Sequence, residues 1–205
     1  LVATQTEASA ADLQQLRDDL RAVVVEPVLN TLKVKADKAT EIFNNPAGAR
    51  TGGGPAIHSG LTGRKTAIDT YGAYARQSGA ALSGKDPMRI DRVGAYIARY
   101  AAKNVVASGL ARECEVQLSY SIGIAGPVSL RVRTFGTGKL DDKAIAGRLE
   151  DVIDFRIGGM VRDLQLKTCC PDDSGFYQKL AVYGQMGRID LDVPWEKTDK
   201  AEALK

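Results

Sequence analysis

Apolar residues recur along this chain with two different periods. Leu13, Leu16, Leu20 and Val24 fall three and four residues apart, which predicts an amphipathic helix. Ser9 and Asp12 ahead of it resemble a capping box, and Pro27 is expected to close it. A second helical face is formed by Ile90, Val93, Ile97, Ala101 and Val105. Asp86 is its expected N-cap, Pro87 its first helical residue, and Gly109 stands just past its end. Between residues 115 and 134 the period changes to two: Val116, Leu118, Tyr120 and Ile122, then Gly126-Pro127, then Val128, Leu130 and Val132. That alternation predicts a hairpin. Asp141 or Asp142 opens another helix carrying Ile145, Leu149, Val152 and Ile153, and Met160–Leu166 reads as a further one. Residues 1–6 read as a strand. Helices mixed with a long hairpin predict an α+β fold, mixed sheets with helices packed on one face.

Composition narrows the class without naming a function. The 205 residues are 44% hydrophobic and 26% charged, which excludes a disordered chain, a collagen-like repeat and a coiled coil. A net charge of +3 is too small to argue for a nucleic-acid or membrane partner, and no run approaches the ~18 apolar residues of a membrane span. Cys114, Cys169 and Cys170 are odd in number, and two are adjacent, so reduced thiols in the cytoplasm are expected. With neither an initiator Met nor a basic signal region, Leu1 reads as the continuation of something longer.

Two segments place cations among glycines: Gly60-Leu61-Thr62-Gly63-Arg64-Lys65 and Ser83-Gly84-Lys85-Asp86-Pro87-Met88-Arg89-Ile90-Asp91-Arg92. Glycine lets backbone amides approach an anion, and the second segment leads into a helix N-terminus. Neither is a Walker A loop. The competing reading makes Arg64 and Lys65 solvated loop cations. Lys85 and Arg89 oppose the helix dipole, which favours an anion nearby, while Asp91 is either a first-turn carboxylate or a metal ligand. Phe135-Gly136-Thr137-Gly138-Lys139 reads either as a phosphate loop or as a turn that requires glycine. No Ser–His–Asp set or metal-ligand spacing accompanies the lone His58, so any catalysis would rest on electrostatic stabilisation.

These residues resemble the S-adenosylmethionine synthetase (methionine adenosyltransferase) family. The likeness is carried by Gly60–Lys65, Asp69-Thr70-Tyr71-Gly72, Ser83–Pro87 with Asp91-Arg92, Ala98-Arg99-Tyr100, Gln117–Tyr120, Thr134–Thr137 and Pro194-Trp195-Glu196-Lys197-Thr198-Asp199-Lys200. It implies transfer of the adenosyl group of ATP to the sulfur of L-methionine, with release and cleavage of triphosphate, dependent on Mg²⁺ and K⁺. Arg64, Lys65 and Lys85 match phosphate ligands, and Ala81 lies where the family lines the nucleotide. Asp91 matches an Mg²⁺-associated carboxylate, and Arg89 stands for a lysine near methionine. Arg50 replaces the aromatic expected against adenine, where a planar cation can still stack, and His58 replaces a substrate-contacting aspartate. Gln185-Met186 replaces a His-Phe pair.

By this resemblance residues 1–51 correspond to the end of the family's middle domain and 52–205 to its C-terminal domain. The family's His-Pro-Asp motif is absent from these 205 residues, as is its potassium-binding glutamate. The resemblance therefore implies activity only with a second synthetase chain, identical or different, or with the region not included here. The alternative is a non-catalytic stabilising or regulatory subunit of a heteromeric synthetase.

Overall fold

The computed structural model describes residues 10–33, 35–49, 51, 70–72, 74–76, 81–168 and 175–205. The strand expected over residues 1–6 and the capping Ser9 lie outside these. The chain divides into two compact units, Leu1–Leu61 with Ser121–Ile124, and Thr62–Tyr120 with Ala125–Lys205.

In the first unit, helix α1 (Ala10–Leu20) runs into a π-helical turn, Arg21–Val25, and on into α2 (Glu26–Thr31). Pro27 therefore does not end the helix as expected; it sits in the first turn of α2. Proline lacks an N–H and crowds the carbonyl four residues back, and the wider π turn just ahead of it absorbs that crowding. The widening is visible where the Glu26 amide donates to the Arg21 carbonyl. Further along, Arg17 fastens the Asn44-Asn45 turn, its Nε and Nη2 donating to the two carbonyls at 3.0 Å each.

The second unit is built on α3 (Ile90–Ala107). Of the face the periodicity marked, Val93, Ile97, Ala101 and Val105 are buried and Ile90 is half-buried, and Tyr96 and Tyr100 are buried beside them. Gly109 follows the helix at φ +76°, the left-handed conformation that glycine adopts most readily. Strands β1 (Glu115–Ser119) and β2 (Ser129–Arg133) pair antiparallel, with Val116 opposite Val132 and Leu118 opposite Leu130. These four residues pack on the core, while Ile122 lies beyond the strand and is exposed. Helix α4 (Asp142–Val152) is capped by Asp141, whose carboxylate accepts from the Lys143 and Ala144 amides. Its Ile145 and Leu149 are fully buried.

Helix α5 spans Ile157–Asp163, three residues earlier than Met160–Leu166. Gly158-Gly159 looks like a helix breaker, yet Gly159 is needed inside: a Cβ there would fall 2.2 Å from the Asp154 carboxylate. Helix α6 (Phe176–Lys179), a 3₁₀ turn (Pro194–Glu196) and α7 (Ala201–Leu204) complete the unit. Helices with a two-stranded antiparallel sheet among the described residues give the expected α+β class. Among those residues, no helix is long and apolar enough to cross a membrane.

The C-terminal segment is strapped to α3 by charge and hydrogen bonds. Glu196 accepts from Arg99 Nε and Nη2 at 2.9 and 3.0 Å, from Lys103 Nζ at 2.9 Å and from the Gly187 amide at 2.8 Å. Burial alone would raise its pKa, but these donors outweigh burial and hold the carboxyl below its ordinary value. Asn104, fully buried, donates to the Tyr100 and Lys197 carbonyls and accepts from the Lys200 amide. Tyr100 donates to Asp199 at 2.6 Å. Trp195 lies stacked on Tyr96, their rings 3.6 Å apart and 3° from parallel.

Candidate functional site

Of the residues singled out from sequence, Lys85, Arg89 and Asp91 come together ahead of α3. The turn Leu82–Lys85 bends through Gly84 at φ +82°, and the Lys85 amide closes it on the Leu82 carbonyl at 3.4 Å. Asp86 then forms a second turn: its carboxylate accepts from the Met88 amide at 2.8 Å, and its carbonyl from the Arg89 amide at 2.9 Å. The helix consequently starts at Ile90 with Arg89 at its N-cap position, not at Asp86-Pro87 as expected. An Asx side chain serves both arrangements, and here it binds two residues on instead of capping a continuing helix.

Asp91 occupies the first helical turn and accepts from Lys85 Nζ at 2.8 Å. Arg89 Nε stands 3.7 Å from the same carboxylate oxygen, Oδ2. The cations that oppose the helix dipole are thus compensated inside the chain by a first-turn carboxylate, a placement that the dipole favours. Ala81 and Leu82, at the start of the turn, are buried. Arg50, His58, Arg64 and Lys65 lie outside the described residues.

Sequence reading did not single out Arg92 and Gln185 as functional. Arg92 is 3% exposed; its Nη1 donates to the Lys85 carbonyl at 2.5 Å and its Nε to the Tyr96 hydroxyl at 2.8 Å. Its guanidinium also lies over the Tyr177 ring, 4.7 Å from the centroid. Gln185, fully buried, reaches the same turn from the far end of the chain, with Nε2 donating to Ser83 Oγ at 2.8 Å. The available signals were the place of Arg92 in the cation-rich 83–92 segment and the departure at Gln185, a residue that can both donate and accept where a His was expected.

The segment 135–139 is a structural turn. Thr137 Oγ1 accepts from the Arg112 and Glu113 amides and donates to the Thr134 carbonyl, and the Lys139 amide donates to Leu110. A Cβ on Gly138 would come within 2.7 Å of the Leu140 carbonyl oxygen, so glycine is required by close approach. Cys114 is half-buried; burial, followed by the Asp142 and Glu115 carboxylates, pushes its thiol up to about 12, which disfavours the thiolate. Among the described residues, no three His, Cys, Asp or Glu side chains gather as a metal cage. Mg²⁺ is commonly held by one or two carboxylates with substrate phosphates, and Asp91 fits that use as a single partly exposed carboxylate.

The family profile described as S-adenosylmethionine synthetase, C-terminal domain, matches residues 52–197. The S-adenosylmethionine synthase of Trichormus variabilis is 49% identical over all of this chain, and that of Microcystis aeruginosa 47%. In each case the chain covers 51% of the relative's length. An unusual S-adenosylmethionine synthetase from Campylobacter jejuni superposes with a TM-score of 0.64 at 37% identity, over 92% of this chain and 49% of that one. The chain belongs to the S-adenosylmethionine synthetase family and spans about half the length of the curated relatives it matches.

Proposed function

We propose that this chain supplies the triphosphate-binding part of an S-adenosylmethionine synthetase. Its function is then transfer of the adenosyl group of ATP to the sulfur of L-methionine, carried out together with a second synthetase chain or with the family's N-terminal region, which these 205 residues do not include. The observation that carries the reading is the family match running through the whole chain, with Lys85 and Asp91 in contact at its centre. In this reading residues 1–51 belong to the middle domain and 52–205 to the C-terminal domain.

The chemistry suits such residues. A thioether has no proton to remove, so displacement at the 5′ carbon needs no base; the difficulty is the charge on the departing triphosphate. Arg64, Lys65 and Lys85 would balance that charge. An ammonium has three donors, so Lys85 can keep Asp91 and still address a phosphate oxygen. Arg89 would stand near methionine, Arg50 would stack on adenine, and Ala81 and His58 would border the substrates. Mg²⁺, shared between Asp91 and the phosphates, would neutralise further charge; K⁺ is carried over from the family.

A non-catalytic subunit is the second reading, favoured by the loss of a carboxylate at His58 and of an aromatic at Arg50. Calorimetric titration with ATP and with inorganic triphosphate tests the first. The parent chain should bind both, and Arg50→Ala should weaken ATP more than triphosphate, because stacking needs the adenine. A parent that binds no triphosphate contradicts the proposal.

A further inference from the structure

A one-way chain of hydrogen bonds crosses the buried floor beneath the Lys85 turn. Arg92 Nε donates to the Tyr96 hydroxyl, Tyr96 donates to Gln185 Oε1, and Gln185 Nε2 donates to Ser83 Oγ. Arg92 also holds the Lys85 carbonyl through Nη1, so both ends of the relay grip the same turn, Leu82–Lys85, at Ser83 and at Lys85. Gln185 is itself fixed, since its backbone carbonyl accepts from Trp195 Nε1 at 2.9 Å and its side-chain Nε2 also donates to the Leu180 carbonyl at 3.3 Å. Each group uses the donor or acceptor that the next one needs, and such chains strengthen their members in a low-dielectric interior. Arg92 Nη2 is buried with no hydrogen-bond partner, and among the described residues no carboxylate pairs with this guanidinium. A turn bound only by its own 3.4 Å amide contact would be loose; this one is bound from below.

We propose that Gln185 is a positioning residue of the anion site, acting with Arg92 and Tyr96 to hold Ser83–Lys85 so that the Lys85 ammonium meets a phosphate. The proposal rests on the reading of Lys85 as a triphosphate ligand. In this role Gln185 acts on the turn and not on the substrate. It sets the geometry of a turn about a hundred residues away in sequence. A side chain with one donor and one acceptor is required here. Leucine offers neither, whereas a neutral imidazole offers both.

Triphosphate titrations at about pH 8 test this, with folding followed by thermal melting. Lys85→Ala reports on the underlying reading: if it binds triphosphate like the parent, that reading fails and the proposal with it. Where Lys85→Ala weakens binding, Gln185→Leu should weaken it ~2- to 30-fold, and Gln185→His should restore it. Should Gln185→Leu fail to fold, Ser83→Ala removes the same link from the turn side and should give a loss in the same range. Binding at the parent's strength by Gln185→Leu or by Ser83→Ala overturns the positioning role while leaving Lys85 in place. A loss in Gln185→Leu that Gln185→His does not restore also overturns it, because packing alone would then account for the effect.

Discussion

Lys65→Ala and Lys85→Ala are each expected to weaken inorganic triphosphate binding by about 10- to 150-fold. A charge-assisted hydrogen bond in a partly desolvated site contributes roughly 1.5–3 kcal/mol, and ~1.4 kcal/mol is a factor of ten in affinity. Lys85 suits that estimate, because its side chain is only 22% exposed and its ammonium is held at 2.8 Å from Asp91. The weakening should shrink as salt is raised, as expected of a contact between a cation and a polyanion. Titration calorimetry at two ionic strengths would measure both effects. Parent-like binding in both variants would make these cations solvated loop residues.

Trp195→Ala should cost about 3–5 kcal/mol of stability, the range for removing a large aromatic from a packed core. Trp195 is fully buried, stacked on Tyr96 and edge-on to Phe176 at 6.2 Å, and its indole N–H is used by Gln185. Truncation therefore leaves a cavity, loses a stacked pair and orphans a buried carbonyl. For a chain of this size the melting temperature should fall roughly 2–4 °C per kcal/mol. Trp195→Phe should lose less, since it keeps a ring against Tyr96. Melting curves of the three proteins would check the order, and an unchanged transition in Trp195→Ala would refute it.

The elements that were legible in sequence are those whose signal is local. The alternation at 116–118 and 130–132 survives as β1 and β2 because one face of the hairpin is buried, so a slip of one residue would expose it. The body of α3 was legible for the same reason, and the cap of α4 was narrowed to Asp141 or Asp142, of which the structure uses Asp141. What misled was chemistry with two uses. Asp86-Pro87 can open a helix or a turn, and the turn is formed here, with the Lys85 carbonyl held by Arg92. Pro27 looks like a breaker until the π turn is seen beside it.

The contact between Lys85 and Asp91 joins residues six positions apart, and a local reading places both near one helix start. Arg92, Tyr96, Gln185 and Ser83 could not be assembled that way. Gln185 is 102 residues from Ser83 and 89 from Tyr96, and no periodicity reports a pairing at such separations. Arg92 in sequence is one more cation after Asp91; only its burial shows that it works downward on the turn instead of outward on solvent.

The most direct test is synthesis of S-adenosylmethionine from ATP and methionine with Mg²⁺ and K⁺. The 205-residue chain would be assayed by itself and after mixing with the separately produced half of a cyanobacterial relative that it does not cover. No product from either half alone, product from the mixture, and loss of that product in Arg64→Ala is the predicted result. Turnover by this chain alone would contradict the need for a partner, and a mixture that makes no product, or makes it equally well with Arg64→Ala, would contradict its place in the site.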